Sequence, residues 1–585
     1  MKGEILKKEI IKLQKQMKIH HIDWYIIPTT DYHGSEYVHP HFRFREFLSG
    51  FTGSAGTLLV NLDAAYLWTD GRYFLQAEAE LFGSEITLMK TGEPDVPGLS
   101  QFLKNHISEN QTLGFDGRLI SIELGQKLEK ICSELNANLV WNIDLADEVW
   151  KERPKLIPSP IYRLPPEVTG HSFQEKLTAL QQKMASCKTD VIILTALEEI
   201  AWLFNMRGSD IKHTPVFYSF AAITRTDYTL FAPKDMLPED FPKNKVCRYS
   251  AINEYLSNID SDMRVWLCKS RGSYSILKYL RKTPKLNFNQ TPIALMKAIK
   301  NNVEIKATKN AHLKDGVAVT TFIHRVKTNI GKVPMSELSA SDFLKNCRKK
   351  QEGYKEPSFT TISGYNSNGA IIHYTPTVSS NATLESKGFL LVDSGGQYSD
   401  GTTDITRTIA LGPLTPKMKE YYTAVLKAHI ALASAEFSEG TTGADLDAVT
   451  RKPLTDLGLN YNHGTGHGVG HMLSVHEGPQ NISPRGNSQQ MLPGMITSNE
   501  PGVYIPGEFG IRLENEILCV KKNNGKLGFE TLTLCPFDLD AIITDKLTHT
   551  EKEWLNSYHE NIVRNLSPYL DKKVASWLKA TIRKI

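Results

Sequence analysis

Short apolar runs punctuate the first part of the chain, and the residues between them repeat at helical intervals. Trp24–Ile27 (WYII), Thr57–Val60 (TLLV) and Ala65–Trp68 (AYLW) each have the length of a buried strand. Their alternation with helical patterns over the first 150 residues predicts an α/β domain. Ahead of them, Ile5, Leu6, Ile10, Leu13 and Met17 fall near helical spacing with lysines between, which predicts an N-terminal amphipathic helix. The rhythm breaks at Lys151–Pro166, where five prolines in sixteen residues cannot share one regular element, since each fixes φ and removes a donor. It resumes with a predicted helix at Phe173–Ser186, a strand at Val191–Thr195, and apolar runs at Phe217–Ile223 and Val265–Lys269.

A long helical stretch, Val303–Asn329, opens a third region that is richer in glycine and holds strand-like runs ending in acidic residues. FLLVDSGG (Phe389–Gly396) reads as a buried strand ending at Asp393. Thr415-Pro416 reads as an N-cap followed by proline at the first helical position, opening a helix of about twenty residues. Leu492–Glu500 and Ile511–Val520 read as two further strands around a tight Pro/Gly turn. No internal repeat has solenoid spacing. The expected architecture is therefore two related α/β domains, 1–155 and 156–302, followed by a third domain, 303–585.

The 585 residues are 41% apolar and 23% charged, which suits a soluble globular protein and excludes a disordered chain or a fibre. The formal charge of +4 is slight for this length, and no basic block is interleaved with aromatics, so nucleic acid is not the expected partner. Lys349, Lys350, Lys572 and Lys573 read as solvated surface. The seven cysteines are scattered and form no CxxC, which argues against a disulfide scaffold or a thiolate zinc site. The N-terminus lacks a signal peptide's apolar core, and no apolar run approaches the roughly 18 residues of a membrane span. A cytoplasmic protein without membrane association is expected.

The acidic residues of the third region carry the chemistry. Asp393 ends an apolar strand, and Asp404 lies eleven residues on, past Gly395, Gly396 and Gly401, whose turns let the chain fold back. In the run IRLENEIL, strand alternation puts Arg512, Glu514 and Glu516 on one face, with Ile511, Leu513 and Ile517 on the other. A carboxylate so close to a core costs several kcal/mol unless paired or bound to metal. One such residue is most often a salt-bridged strand residue; three, with Glu500 in SNEPG, point to a metal. Residues 463–471 read HGTGHGVGH, with His476 following. Four glycines in nine residues oppose a helix, and no HExxH is present, so the zincin arrangement is excluded. A glycine-rich loop presenting imidazoles to a cleft remains. Oxygen and nitrogen donors without thiolate favour Mn²⁺, Co²⁺ or Zn²⁺. Four carboxylates and one imidazole exceed one tetrahedral zinc but suit two ions about 3.5 Å apart.

HGTGHGVG, VDSGGQYSDGTTDITRT, NEPGVY and GIRLENE resemble the signature segments of the pita-bread metallopeptidases, which include methionine aminopeptidase, prolidase and aminopeptidase P. The similarity is greatest to the long, three-domain, cytosolic aminopeptidases P, and it extends to WTDGRYFLQAEAEL (68–81), EEIAWLFNMRGSDI (198–211) and NGAIIHY (368–374). The resemblance implies creatinase-like α/β N-terminal domains, a pita-bread (α+β) catalytic domain and hydrolysis of the bond in front of a proline at the second position of a peptide. It implies two divalent ions, Mn²⁺ foremost, with Asp393 on one, His467 and Glu500 on the other, and Asp404 and Glu514 bridging. It further implies substrate-side roles for His373, His463 and His476, a proton shuttle at Glu500, and a homodimer formed through the catalytic domain. Arg512 is expected to orient Glu514, and His471 stands outside the family's metal set. Prolidase shares the site but is shorter; creatinase-like hydrolases lack metals and binding modules of this fold have lost ligands, whereas all five donors are present here.

Overall fold

The computed structural model describes every residue except Met1, Thr283 and Asn487, and the side chains of residues 2–6 lie outside the described ones. The N-terminal helix runs Lys2–Ile19. It buries Ile10, Leu13 and Met17 as its spacing predicts, while the expected roles of Ile5 and Leu6 fall outside the described side chains. Contacts divide the chain into two compact units, Met1–Pro165 with His171–Ala294, and Pro166–Gly170 with Leu295–Ile585.

The first unit holds two six-stranded sheets. In the first, the strands lie in the order Ile86–Lys90, Ala65–Thr69, Thr57–Asn61, Trp24–Pro28, Thr112–Phe115, Asn138–Val140. In the second they run Val246–Cys247, Tyr228–Phe231, Phe220–Thr224, Val191–Leu194, Arg264–Leu267, Lys285–Phe288. Both sheets share one plan: the first strand of each pairs antiparallel with the second and parallel with the fifth. The apolar runs read from the sequence form interior strands of these mixed sheets, and Trp24–Pro28 and Val191–Leu194 are buried on both faces, as strands covered on each side by helices require. A capping box between Ser172 and Glu175 starts the helix Phe173–Ser186 at the residues its pattern predicts.

The second unit is α+β. Its long helix, Asn302–Asn329, is fixed at its start by a capping box of Asn301 and Glu304. Thr415 caps the helix Pro416–Ala433 by accepting from the Met418 amide. Two antiparallel sheets frame the site. One pairs Ile362–Tyr365, Phe389–Ser394 and Ile405–Ala410. The other orders Glu436–Phe437, Leu527–Thr531, Asn515–Lys521 and Ile496–Asn499. The strand expected over Ile511–Val520 is two strands. Phe509–Arg512 pairs with Gly502–Ile505, and Asn515–Lys521 joins the four-stranded sheet. At the break the Glu514 amide donates to the Thr406 carbonyl at 3.1 Å, so the chain passes from one ladder to another at Glu514.

Candidate metal centre

Strand ends deliver the carboxylates. Asp393 lies opposite Thr406 in the antiparallel pair of Phe389–Ser394 with Ile405–Ala410, and Asp404 immediately precedes the second of these strands. Gly395 makes the return possible: a Cβ there would lie 1.9 Å from the Thr403 carbonyl oxygen. Glu500 follows the strand Ile496–Asn499, whose Asn499 pairs with Asn515 beside Glu514. The histidine loop is not helical. Gly466–His467 forms a short strand against Asn481–Ile482, and a Cβ at Gly466 would sit 2.0 Å from the Ser498 carbonyl.

These elements bring together three overlapping donor groups: Asp393, Asp404 and Glu514; His467, Glu500 and Glu514; and Asp404, His467 and His476. Within each, the donor atoms all lie within 4.8 Å of one another. His467 Nε2 is 3.3 Å from Glu500 Oε1 and 3.5 Å from Asp404 Oδ2. Its Nδ1 donates to the Gly468 carbonyl at 3.1 Å, so Nε2 is the ring nitrogen that faces the carboxylates, and it is a free donor atom in the neutral ring. The His476 ring stands edge-on to His467, with centroids 4.3 Å apart at 90°.

The electrostatics are those of a site built for cations. Burial, with the charge of Asp404, raises the Asp393 acid against the opposing pull of Arg512. Burial pushes Glu500 up to about 7, and burial with three neighbouring carboxylates holds Glu514 well above the usual range. Burial opposes charge on His467, but Asp404 and Glu500 outweigh it and raise the imidazole to about 9. Asp393 Oδ1 and Asp404 Oδ1 are buried without a hydrogen-bond partner. Crowded carboxylates with orphaned oxygens, beside an imidazole and without thiolate, fit divalent cations.

A second layer holds this set. Arg512, 2% exposed, donates through Nη2 to Asp393 Oδ2 at 2.5 Å and through Nη1 to the Tyr504 hydroxyl at 2.7 Å. The expected contact of Arg512 with Glu514 is indirect, because the chain turns at Leu513. Arg512 Nε reaches Thr406 Oγ1, whose hydroxyl donates to Glu514 Oε2 at 2.7 Å. The Tyr504 hydroxyl lies 2.8 Å from His463 Nε2, while His463 Nδ1 bonds the Gly464 carbonyl at 2.7 Å. Glu516 accepts the Asp404 amide at 2.8 Å and meets buried His312 at 3.1 Å. His373 is outside the three donor groups, on the turn after Asn366–Ala370 and next to Ile372, whose carbonyl accepts from Arg512 at 3.4 Å. His471 is turned away, bonded to Thr308 Oγ1 and to the Val168 carbonyl, each at 3.0 Å. Tyr504, Thr406 and His312 are functional neighbours that sequence reasoning missed; Tyr504 and Thr406 lay inside the recognised segments NEPGVY and VDSGGQYSDGTTDITRT, and His312 lay outside them.

Known proteins resemble this chain over nearly its whole length. Residues 306–521 match metallopeptidase family M24 and 525–585 its C-terminal region. Residues 10–142 and 152–304 each match a creatinase/prolidase N-terminal domain. A probable Xaa-Pro aminopeptidase P of Coprinopsis cinerea is 40% identical over 98% of this chain and 97% of its own. Xaa-Pro aminopeptidase 1 of Dictyostelium discoideum is 38% identical over 99% and 96%. The crystal structure of the X-prolyl aminopeptidase of Caenorhabditis elegans, a cytosolic enzyme with a di-nuclear active site, superposes with a TM-score of 0.94 at 31% identity, covering 100% of this chain and 99% of that one.

The chain is thus an enzyme of metallopeptidase class, with creatinase-like α/β domains ahead of a pita-bread catalytic region. Within that class it belongs to the Xaa-Pro aminopeptidase P group of metallopeptidase family M24.

Proposed function

We propose that this enzyme removes the residue in front of a proline from the N-terminus of peptides, with two divalent ions in the site. The observation that carries the reading is the fusion of three donor groups through Asp404, His467 and Glu514, in a chain related end to end to Xaa-Pro aminopeptidases. Asp393 would hold one ion and His467 and Glu500 the other, with Asp404 and Glu514 contributing to both. When bound, the pair supplies Lewis-acid activation of a water and of the scissile carbonyl. Mn²⁺ suits this oxygen-rich set best, with Zn²⁺ or Co²⁺ as substitutes.

The protein's own groups do the rest. His476 donates a ring N–H toward the oxyanion of the tetrahedral intermediate. Glu500 takes a proton from the attacking water and returns it to the leaving proline nitrogen. His463, fixed by Tyr504, and His373 wall the pocket for the proline ring. The substrate's amine sits on the Asp393 side, where carboxylates offset its charge. An amide nitrogen in proline has no proton to donate and its ring fixes φ, so selection rests on shape. The expected setting is a homodimer formed through the catalytic domain, in the cytoplasm, with domains at 1–155, 156–302 and 303–585.

The test is chelation, reconstitution with each metal, and cleavage of X-Pro-Pro, X-Ala-Pro and N-acetylated X-Pro-Pro peptides. Two ions per chain and at least about tenfold preference for proline, 1.4 kcal/mol in transition-state binding, are expected. Comparable kcat/KM for proline and alanine, or efficient cleavage of acetylated peptide, refutes the specificity. Light scattering that gives a monomer refutes the dimer.

A further inference from the structure

The loop bearing His467 and His476 is held from behind by charged side chains that the chemistry above does not use. Lys297, on the helix Pro292–Ala298, and Lys300 just past it are 6% and 4% exposed. Lys297 Nζ pairs with Glu477 Oε1, and Lys300 Nζ donates to the Val469 carbonyl at 2.5 Å. On the loop's other flank His471 is tied to Thr308 and Val168. The loop is therefore gripped at residues 469, 471 and 477, between and just beyond its two site histidines.

Glu477 is the strictest of these points. Its amide donates to the Gly468 carbonyl at 2.7 Å, closing the loop one residue beyond each histidine. Its Oε2 fills the place a side chain would need at Gly470, where a Cβ would lie 2.1 Å away. Burying such a pair costs several kcal/mol in desolvation, and apolar residues of the same volume often stabilise a fold as well or better. What the pair adds is a tether: it holds Glu477 Oε1 at Lys297 Nζ, and so restrains the peptide that leads out of His476.

We propose that Lys297 is a positioning residue, whose ion pair with Glu477 sets the His476 ring against His467 for the reaction. The proposal rests on reading His476 as a group that meets the substrate. It predicts that fixing this orientation, not merely filling the space, governs turnover.

The test compares Lys297→Met, Lys297→Arg and the double variant Lys297→Met/Glu477→Met with wild type. Four quantities are measured: kcat, KM on an X-Pro-Pro peptide, ions bound per chain, and the thermal midpoint of the metal-free protein. Lys297→Met is expected to lower kcat at least about tenfold, with KM changed less than about threefold and ion content unchanged. Lys297→Arg is expected to recover most of kcat. The double variant, freed of the unpaired buried charge, is expected to regain the thermal midpoint but not kcat. Recovery of both by the double variant, or wild-type kcat in Lys297→Met, overturns the proposal. If Lys297→Met does not fold, the double variant decides alone. Wild type run in parallel separates the two readings: failure of wild type to cleave X-Pro or to bind ions overturns the site assignment itself, and with it the role of the pair.

Discussion

Glu514→Gln should make the metal-free protein more stable while destroying its activity. The carboxylate is 1% exposed, and its donor atom lies within 4.8 Å of those of Asp393 and Asp404. At an effective dielectric of about 20, two unit charges at that separation repel by roughly 3 kcal/mol. Arg512 offsets part of this through Asp393, leaving a net gain on the order of 2 kcal/mol for the neutral amide. Gln can still accept the Thr406 hydroxyl, so the swap removes charge rather than a hydrogen bond. The folded protein holds the Glu514 acid well above its unfolded value, chiefly through burial. The folded state therefore binds the proton more tightly, and stability from this group is full below about pH 4.5 and is lost as pH rises. The amide escapes that loss. At pH 8 the metal-free variant should melt roughly 2–4 °C above metal-free wild type, with the gap closing toward pH 4.5. With Mn²⁺ present the order should reverse, because the variant has surrendered an anionic donor. Scanning calorimetry of chelated protein across this pH range, repeated with metal, is the assay. A metal-free variant that melts at or below wild type at pH 8 would refute the view that this site is a set of mutually repelling anions awaiting cations.

Tyr504→Phe deletes the hydroxyl between Arg512 and His463, a loss of about 1–3 kcal/mol, and kcat/KM should fall roughly tenfold at unchanged ion content; an unchanged kcat/KM would show that His463 needs no such support. His429 and His559 are held near 3 by burial, with the charge of Arg407 adding to it. Because the unfolded chain takes these protons first, stability should fall as pH drops from about 6.5 toward 3, by up to about 1.4 kcal/mol per pH unit for each. Urea midpoints between pH 7 and 5 measure this slope, and His559→Gln should flatten it; an unaltered slope would exclude His559 as a source.

Much of this molecule could be read before any coordinates. The strand ending at Asp393 and the helix opened by Thr415-Pro416 lie where apolar run and cap chemistry put them, because each is decided by neighbours within a few residues. Asp393 stood out for the same reason, since a carboxylate at the end of an apolar strand contradicts its surroundings, whereas the full set with His467 was implied by the family resemblance. The partner of Arg512 was not. Alternation along IRLENEIL treats it as one strand, whereas the chain changes ladders at Leu513 and Glu514 and swings Arg512 onto Asp393, 119 residues away. Nothing local in the sequence distinguishes Lys297; its partner Glu477 lies 180 residues on. Long-range pairing between polar side chains leaves no periodic trace.

The unit that carries the site is assembled from two separate stretches of chain, Pro166–Gly170 and Leu295–Ile585. On a ribosome this sets an order of events. Val168 emerges 303 residues before His471, the ring that will bond its carbonyl. At roughly 5–20 residues per second that interval lasts about 15–60 s. Throughout it, the short piece after the proline-rich break has no catalytic unit to join, and Lys297 and Lys300 leave the tunnel without the loop whose Glu477 and Val469 will hold their ammonium groups. The same topology bears on dissection of the molecule. A fragment begun at residue 303 would lack Val168, Lys297 and Lys300 together, and with them the supports on both flanks of the histidine loop.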